Sequence, residues 1–262
     1  ILSCIFTEAL FLKFRNKDPK AVLDGSAILT GLLLAYNLPP DAPFWIPVVG
    51  GMVSIILGKQ IFGGLGQNIF NPALVGRAFL QISWPVYMTT WKNPRWWPDA
   101  ASGATPLAKE GSAHFTYMDL FLGNRSGCIG EVCVIVLIIG AAFLLFTKII
   151  SLHIPLSFIG TVGIITWVFG KEGFFRGDFL FNILAGGIIL GAFFMATDYV
   201  TSPLTKKGKI IFGIGCGVLT AIIRLRGGYP EGVCYSILFM NAAVPIIDRF
   251  TKVKKYGFVK KD

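Results

Sequence analysis

What most limits the folds open to this chain is a series of long apolar blocks, residues 129–146, 154–169, 179–196 and 210–223, each nearly free of charge. Such blocks approach the roughly 20 residues a helix needs to cross a bilayer. Segments 24–38, 44–57, 70–88 and 232–247 are shorter or interrupted by Gly and Pro. In a bundle, segments of that kind tilt, break or lie behind neighbours, where their freed backbone groups find partners. With 54% hydrophobic and only 15% charged residues, the chain is too apolar for an ordinary soluble domain. The expected class is all-α, a polytopic membrane protein. Residues 1–12 are apolar but too short to span, and the chain opens on Ile1 rather than Met. We read this as an N-terminal truncation through a helix, with at least half a span missing.

A net charge of +10 invites a nucleic-acid reading, which the distribution of the charges excludes. The tail, 249–262, carries Arg249, Lys252, Lys254, Lys255, Lys260 and Lys261; a first loop carries Lys13, Arg15, Lys17 and Lys20; another carries Lys206, Lys207 and Lys209. With the tail in the cytoplasm, threading back through the spans puts each cluster on the cytoplasmic side, as the positive-inside rule requires. Loop 91–128, which holds only Lys92, Arg95, Lys109 and Arg125, then falls outside. Arg224 and Arg226 are the misfit, threaded to the outside or an interface.

The five cysteines, Cys4, Cys128, Cys133, Cys216 and Cys234, include no C-x-x-C pair. That argues against a complete iron–sulfur or zinc site within the chain and favours small packing residues, with a cluster shared with a partner chain left open. The two histidines, His114 and His153, offer no pair on facing helices for a haem.

Landmarks recur in order. Thr30-Gly31, Leu38-Pro39-Pro40, Gly50-Gly51, Gly63-Gly64 and Asn71-Pro72-Ala73 are followed by Gly186-Gly187, Thr201-Ser202-Pro203, Gly213 with Gly215, Gly227-Gly228 and Asn241-Ala242-Ala243. We expect two halves, 1–128 and 129–262. Equivalent spans lie five apart, so the halves run in opposite orientation, and inverted repeats typically place their site at the midplane junction of discontinuous helices.

Two motifs carry chemistry. The run from Gly58 to Leu80 is rich in Gly, which permits close backbone approach. Within it Asn71-Pro72 starts a span with Pro in the first turn, and Arg77 lies several residues inside an apolar segment. Small-residue packing accounts for the glycines. It does not account for Arg77, because an intramembrane ionisable residue is a functional hypothesis by default. The second motif is Asp99-Ala100-Ala101-Ser102-Gly103-Ala104-Thr105, in the external loop. Gly103 and Ala104 leave the Thr105 hydroxyl uncrowded, and Pro106 biases Thr105 toward extended geometry.

This motif resembles the D-x-x-(S/T)-G-A-T signature at which membrane redox subunits carry FMN on threonine through a phosphodiester. Together with Asp24-Gly25-Ser26, Leu38-Pro39-Pro40, the 58–80 run, Asn241 and Pro245-Ile246-Ile247-Asp248, it resembles the D-subunit family of Rnf complexes. A near relative is the B-subunit family of the sodium-pumping NADH:quinone oxidoreductase. The resemblance covers nearly the whole chain. It implies five plus five inverted spans, with the first and part of the second missing here. It also implies FMN placed on Thr105 by a flavin transferase outside the cytoplasm of a bacterial cell. Asp99, Ser102, Gly103, Ala104, Asn71 and Arg77 then belong to the cofactor site, and a second, non-covalent flavin stays open. The implied complex, with flavin- and iron–sulfur-bearing partner subunits, passes electrons between ferredoxin and NAD, coupled to sodium or proton movement.

Acidic residues in or at the edges of spans are ion-path candidates: Asp24 and Asp248, which resemble carboxylates implicated in ion movement in the relative, with Glu8 and Asp198. The plainer reading makes them interfacial charges. Trp91, Trp96 and Trp97 read as an aromatic belt flanking the loop. The competing function is a small-solute channel or permease, which inverted five-span repeats also build and which has no use for the Thr105 motif.

Overall fold

The computed structural model describes residues 1–91, 106–107, 115–170, 173–227 and 231–251, the side chains of 19 and 20 excepted. Among the described residues the fold is all-helical, without a strand. The helices are α1 (Leu2–Phe14), α2 (Ser26–Tyr36), α3 (Trp45–Ile55), α4 (Pro72–Ser83), α5 (Pro85–Thr89), α6 (Tyr117–Leu122), α7 (Val134–Phe146), α8 (His153–Val168), α9 (Phe179–Leu184), α10 (Ile188–Leu190), α11 (Lys206–Arg226) and α12 (Val233–Phe250). Of these, α11 and α12 are long and apolar enough to cross a membrane.

Local chemistry explains where helices begin and break. Asn71 caps α4: its Oδ1 accepts from the Ala73 and Leu74 N–H groups at 3.1 and 3.4 Å, and Pro72 occupies the first turn. Thr205 caps α11 by accepting from the Gly208 N–H at 2.9 Å. Helix α3 continues into a π turn, Ile56–Gln60, and α10 into another, Gly191–Met195. The wider turn rotates the residues that follow, and π-bulges favour functional positions. In the first of them, Lys59 and Gln60 are both buried.

Two expected spans are discontinuous. Block 179–196 divides into α9 and α10 at Ala185–Gly187, where Gly186 takes φ +72°, open to glycine at no steric cost. Block 70–88 turns at Trp84, whose successor Pro85 opens α5.

Helix α1 packs on α3 and α8 on α11; α3 lies against α4, α11 against α12, and α4 meets α12. Phe158, Phe212, Ile188, Met195 and Ile237 form the largest core with Leu74. Lipid removes most of the hydrophobic drive for helices to associate, so close packing of small residues must hold them. Gly213 and Gly217 of α11 do this against α8: a Cβ on either would stand 2.8 Å from the Ile154 carbonyl oxygen or 3.0 Å from that of Phe158. Where α4 crosses α12, the Asn241 amide accepts from the Asn71 N–H at 3.0 Å and donates to the Ile237 carbonyl at 2.9 Å. The outer face of α7 presents Val136, Ile139, Phe143 and Phe146, all exposed.

Candidate functional site

Charged side chains gather in the interior at two places. The first is built around Arg77. From α4 its guanidinium reaches Asn37, at the end of α2, and Glu231, just before α12. Arg77 and Glu231 are an ion pair, each with a side chain only 7% exposed. Glu231 Oε1 also accepts from the Gly187 N–H at 3.1 Å, so the helix break is what brings a backbone donor to it. Asn37 is held by its own Nδ2, which donates to the Leu33 carbonyl at 2.7 Å.

The segment before α7 closes this cluster. Its Ile129 and Gly130 N–H groups donate to the Leu38 and Tyr36 carbonyls at 3.1 and 2.9 Å, pinning the loop to the end of α2. Gly130 is required there, because a Cβ would run into that of Tyr36. Two residues earlier, the Cys128 thiol donates to the Asn37 carbonyl at 3.2 Å; one residue later, Glu131 enters the interior. Arg125 donates to the carbonyls of Glu131 and Val132. Arg224 of α11 is buried as well and donates to the Asn182 and Ala185 carbonyls at 2.6 and 3.1 Å, the open C-terminal end of the broken helix α9. A cation there offsets the partial negative charge of unsatisfied carbonyls. This corrects the topological misfit: Arg224 is an interior residue that serves a helix end, so it says nothing about which side of the membrane it faces.

The second place is centred on Glu8. Its Oε1 accepts from Lys59 Nζ at 2.5 Å and from Gln60 Nε2 at 2.9 Å. Lys59 also donates to Ser26 Oγ at 2.5 Å, and Ser26 in turn donates to Asp24 Oδ1 at 2.5 Å. A continuous polar chain thus runs from exposed Asp24 to buried Glu8. Lys59 borders a cavity of about 470 Å³ whose polar lining includes Asn68, Asn71, Thr197 and Asp198.

The sequence-predicted residues divide accordingly. Arg77 lies in the first cluster; Asn71 lies at the α4–α12 crossing and on the cavity wall. Glu8 and Asp24 are joined through Lys59 and Ser26, whereas Asp248 stands apart, accepting from the Leu204 N–H at 3.2 Å. Trp91 is buried, so it is no part of an interfacial belt. Asp99, Ser102, Gly103, Ala104, Thr105, Trp96, Trp97 and the basic tail from Lys252 lie outside the described residues. Just after Thr105, buried Pro106 and half-buried Leu107 are described; a Cβ on Gly186 would stand 2.7 Å from Leu107 Cδ1 and 2.9 Å from Arg224 Nη2. Leu107 is therefore next to the first cluster. Glu131, Glu231, Lys59, Arg125 and Arg224 were not expected as site residues.

An apolar helical exterior, broken helices and an interior stocked with arginine and glutamate define a membrane protein with a polar functional core. The chain belongs to the NQR2, RnfD, RnfE family, whose model matches residues 1–257. It is 51% identical, over 98% of its length and 82% of the relative, to the D subunit of the proton-translocating ferredoxin:NAD(+) oxidoreductase complex of Clostridium ljungdahlii. It is 49% identical, over 99% of its length and 81% of the relative, to the D subunit of the Na(+)-translocating ferredoxin:NAD(+) oxidoreductase complex of Acetobacterium woodii. Its identity to the D subunit of the ion-translocating oxidoreductase complex of Stutzerimonas stutzeri is 39%, over 97% of this chain and 82% of that one.

Proposed function

We propose that the chain is the D subunit of an ion-translocating ferredoxin:NAD oxidoreductase complex and carries FMN covalently on Thr105. The observation that carries this is the 51% identity to such a D subunit over 98% of the chain, joined to the Asp99–Thr105 motif. Bound there, FMN would supply electron transfer between partner subunits; the protein's part would be to hold it, tune it and exclude water. The first cluster, which Leu107 adjoins across Gly186, fits an electron-rich group: Arg77, Arg125 and Arg224 outnumber Glu131 and Glu231, and the Nε atoms of Arg77 and Arg224 are buried without a partner. A flavin transferase and the flavin- and iron–sulfur-bearing subunits of the complex are the partners of this reading, and a bacterial cytoplasmic membrane is its location.

The five-plus-five inverted architecture is part of the proposal. It is supported by matching packing, α1 on α3 with α3 on α4, and α8 on α11 with α11 on α12. It is supported also by Asn71 meeting Asn241, the equivalent landmark of the other half. The cavity beside Asn68 and Asn71 is of a size that takes a small cofactor, which supports a second, non-covalent flavin. The chain Asp24–Ser26–Lys59–Glu8 supports an ion path on the cytoplasmic side, with Asp248 as a separate entry carboxylate.

Ultraviolet fluorescence of the denatured polypeptide on a gel tests the reading. Protein from cells that express the transferase should fluoresce, and Thr105→Ala should insert in the membrane and stay dark. A dark wild-type band would contradict it, as both a permease and a cofactor-free scaffold predict.

A further inference from the structure

Glu131 and Glu231 arrive at one point from two segments far apart in the chain. With the Cys128 thiol, their ligand atoms all lie within 4.8 Å of one another. Both carboxyls back onto the helix break: a Cβ on Gly187 would stand 2.8 Å from Glu131 Oε2 and 3.7 Å from Glu231 Oε1.

The two carboxyls are not equally supplied with donors. Glu231 has Arg77 on Oε2 and the Gly187 N–H on Oε1. Glu131 has the Cys128 N–H on Oε1 at 3.0 Å. Its Oε2 is buried and meets no donor, and the Glu231 carboxyl shares the same small space, with an oxygen within 4.8 Å of the Glu131 carboxyl. Glu131 is only 2% exposed. A bare anionic oxygen facing a second carboxylate away from water combines a desolvation penalty with like-charge repulsion.

The cations nearby act on it only through space, and none donates a hydrogen bond to Glu131 Oε2. Arg77 is committed to Glu231 and Asn37. Arg125 is spent on the carbonyls of Glu131, Val132 and Gly186, and Arg224 on those of Asn182 and Ala185. Cys234, on α12, donates to the Leu74 carbonyl at 3.5 Å. A metal ion bound by Cys128, Glu131 and Glu231 would sit among three guanidiniums and displace a thiol that already donates to Asn37.

One proton removes both faults. We propose that Glu131 and Glu231 form a buried proton-binding pair, in which Glu131 carries the proton and donates it to the Glu231 carboxylate. The pair holds one exchangeable proton in the interior beside the segment that follows Thr105. This does not depend on the flavin reading.

Infrared spectroscopy of the full chain in lipid vesicles tests it, with Glu131→Gln as the decisive variant. A glutamine amide donates to Glu231 as the protonated acid does, so this variant should fold and melt within a few degrees of wild type. Wild type at neutral pH should show a carboxylic-acid C=O band that shifts in D2O. That band should vanish in Glu131→Gln and persist in Glu8→Gln. A wild-type spectrum lacking the band, or one whose band survives Glu131→Gln, overturns the proposal. So does a Glu131→Gln variant that melts far below wild type, or a stoichiometric metal on the wild-type chain that this substitution removes.

Discussion

Arg77 and Glu231 stand 154 positions apart in the chain and form a buried ion pair that joins α4 to the approach of α12. The pair costs desolvation on both sides, so its removal as a unit and its removal by halves have different consequences. Arg77→Met alone leaves Glu231 charged, buried and short of a donor, and should cost about 3–5 kcal/mol. Arg77→Lys should recover little, because a point charge cannot serve Asn37 and Glu231 together as the planar fork does. Thermal melts of the detergent-solubilised chain check both; equal melting of wild type and Arg77→Met would contradict the assignment.

The Glu8–Lys59 pair yields a similar test with a different partner set. Lys59→Met should strand Glu8, whose remaining donor is Gln60, and cost about 3–5 kcal/mol, while Glu8→Leu combined with Lys59→Met should lose much less. A double-mutant cycle on melting temperature measures the coupling. Additive losses would mean that the pair does not hold α1 to α3.

At the α8–α11 contact the controlling feature is the absence of a side chain. Gly217→Leu would drive its Cβ against Thr161 and the Phe158 carbonyl, where the ideal Cβ already lies 2.5 Å from Thr161 Cβ. Overpacking of a close contact costs about 1–3 kcal/mol, and here two helices must also separate. Gly160→Ala, which meets nothing within 4 Å, is the matched control and should melt as wild type.

The sequence made the fold class legible because lipid allows few solutions: apolar blocks of spanning length must become helices. It also identified Arg77, as an uncompensated charge in an apolar segment. The partners were harder to see. Glu231 stands in Tyr229-Pro230-Glu231-Gly232, which reads as a loop, and Glu131 falls at the start of the apolar block 129–146, which reads as a span. Only tertiary folding carries Glu231 inside and sets Glu131 beside it. One signal was present, since buried arginines need acidic or carbonyl partners, and Arg77 with Arg224 asked for several. Block 179–196 read as one span because hydropathy counts composition. Its break at Gly186 is set by what lies against it, Leu107, Arg224 and Glu231. Lys59 was hidden in a glycine-rich run whose π turn no periodicity announces.

Acid should loosen α6 before it touches the core. The Thr116 hydroxyl and backbone N–H both donate to Asp119, at 2.5 and 3.1 Å, and hold its carboxyl below the usual carboxylate range. A depressed carboxyl stabilises the fold above its unfolded value, and that contribution is lost as pH falls through the folded one. Hydrogen exchange of residues 117–122 should therefore quicken, relative to α11, as pH drops through the acidic carboxylate range, and Asp119→Asn should show the fast exchange already at neutral pH. A wild-type α6 whose exchange relative to α11 stays the same as pH falls would contradict the cap's role.

The central claim, that this chain carries FMN on Thr105, is tested most directly by mass spectrometry of the peptide that holds residues 99–105, from cells expressing the flavin transferase. The account predicts that this peptide gains the mass of one FMN less one water, with fragmentation assigning it to Thr105 and no such gain in Thr105→Ala. A wild-type peptide recovered unmodified at full occupancy would contradict it.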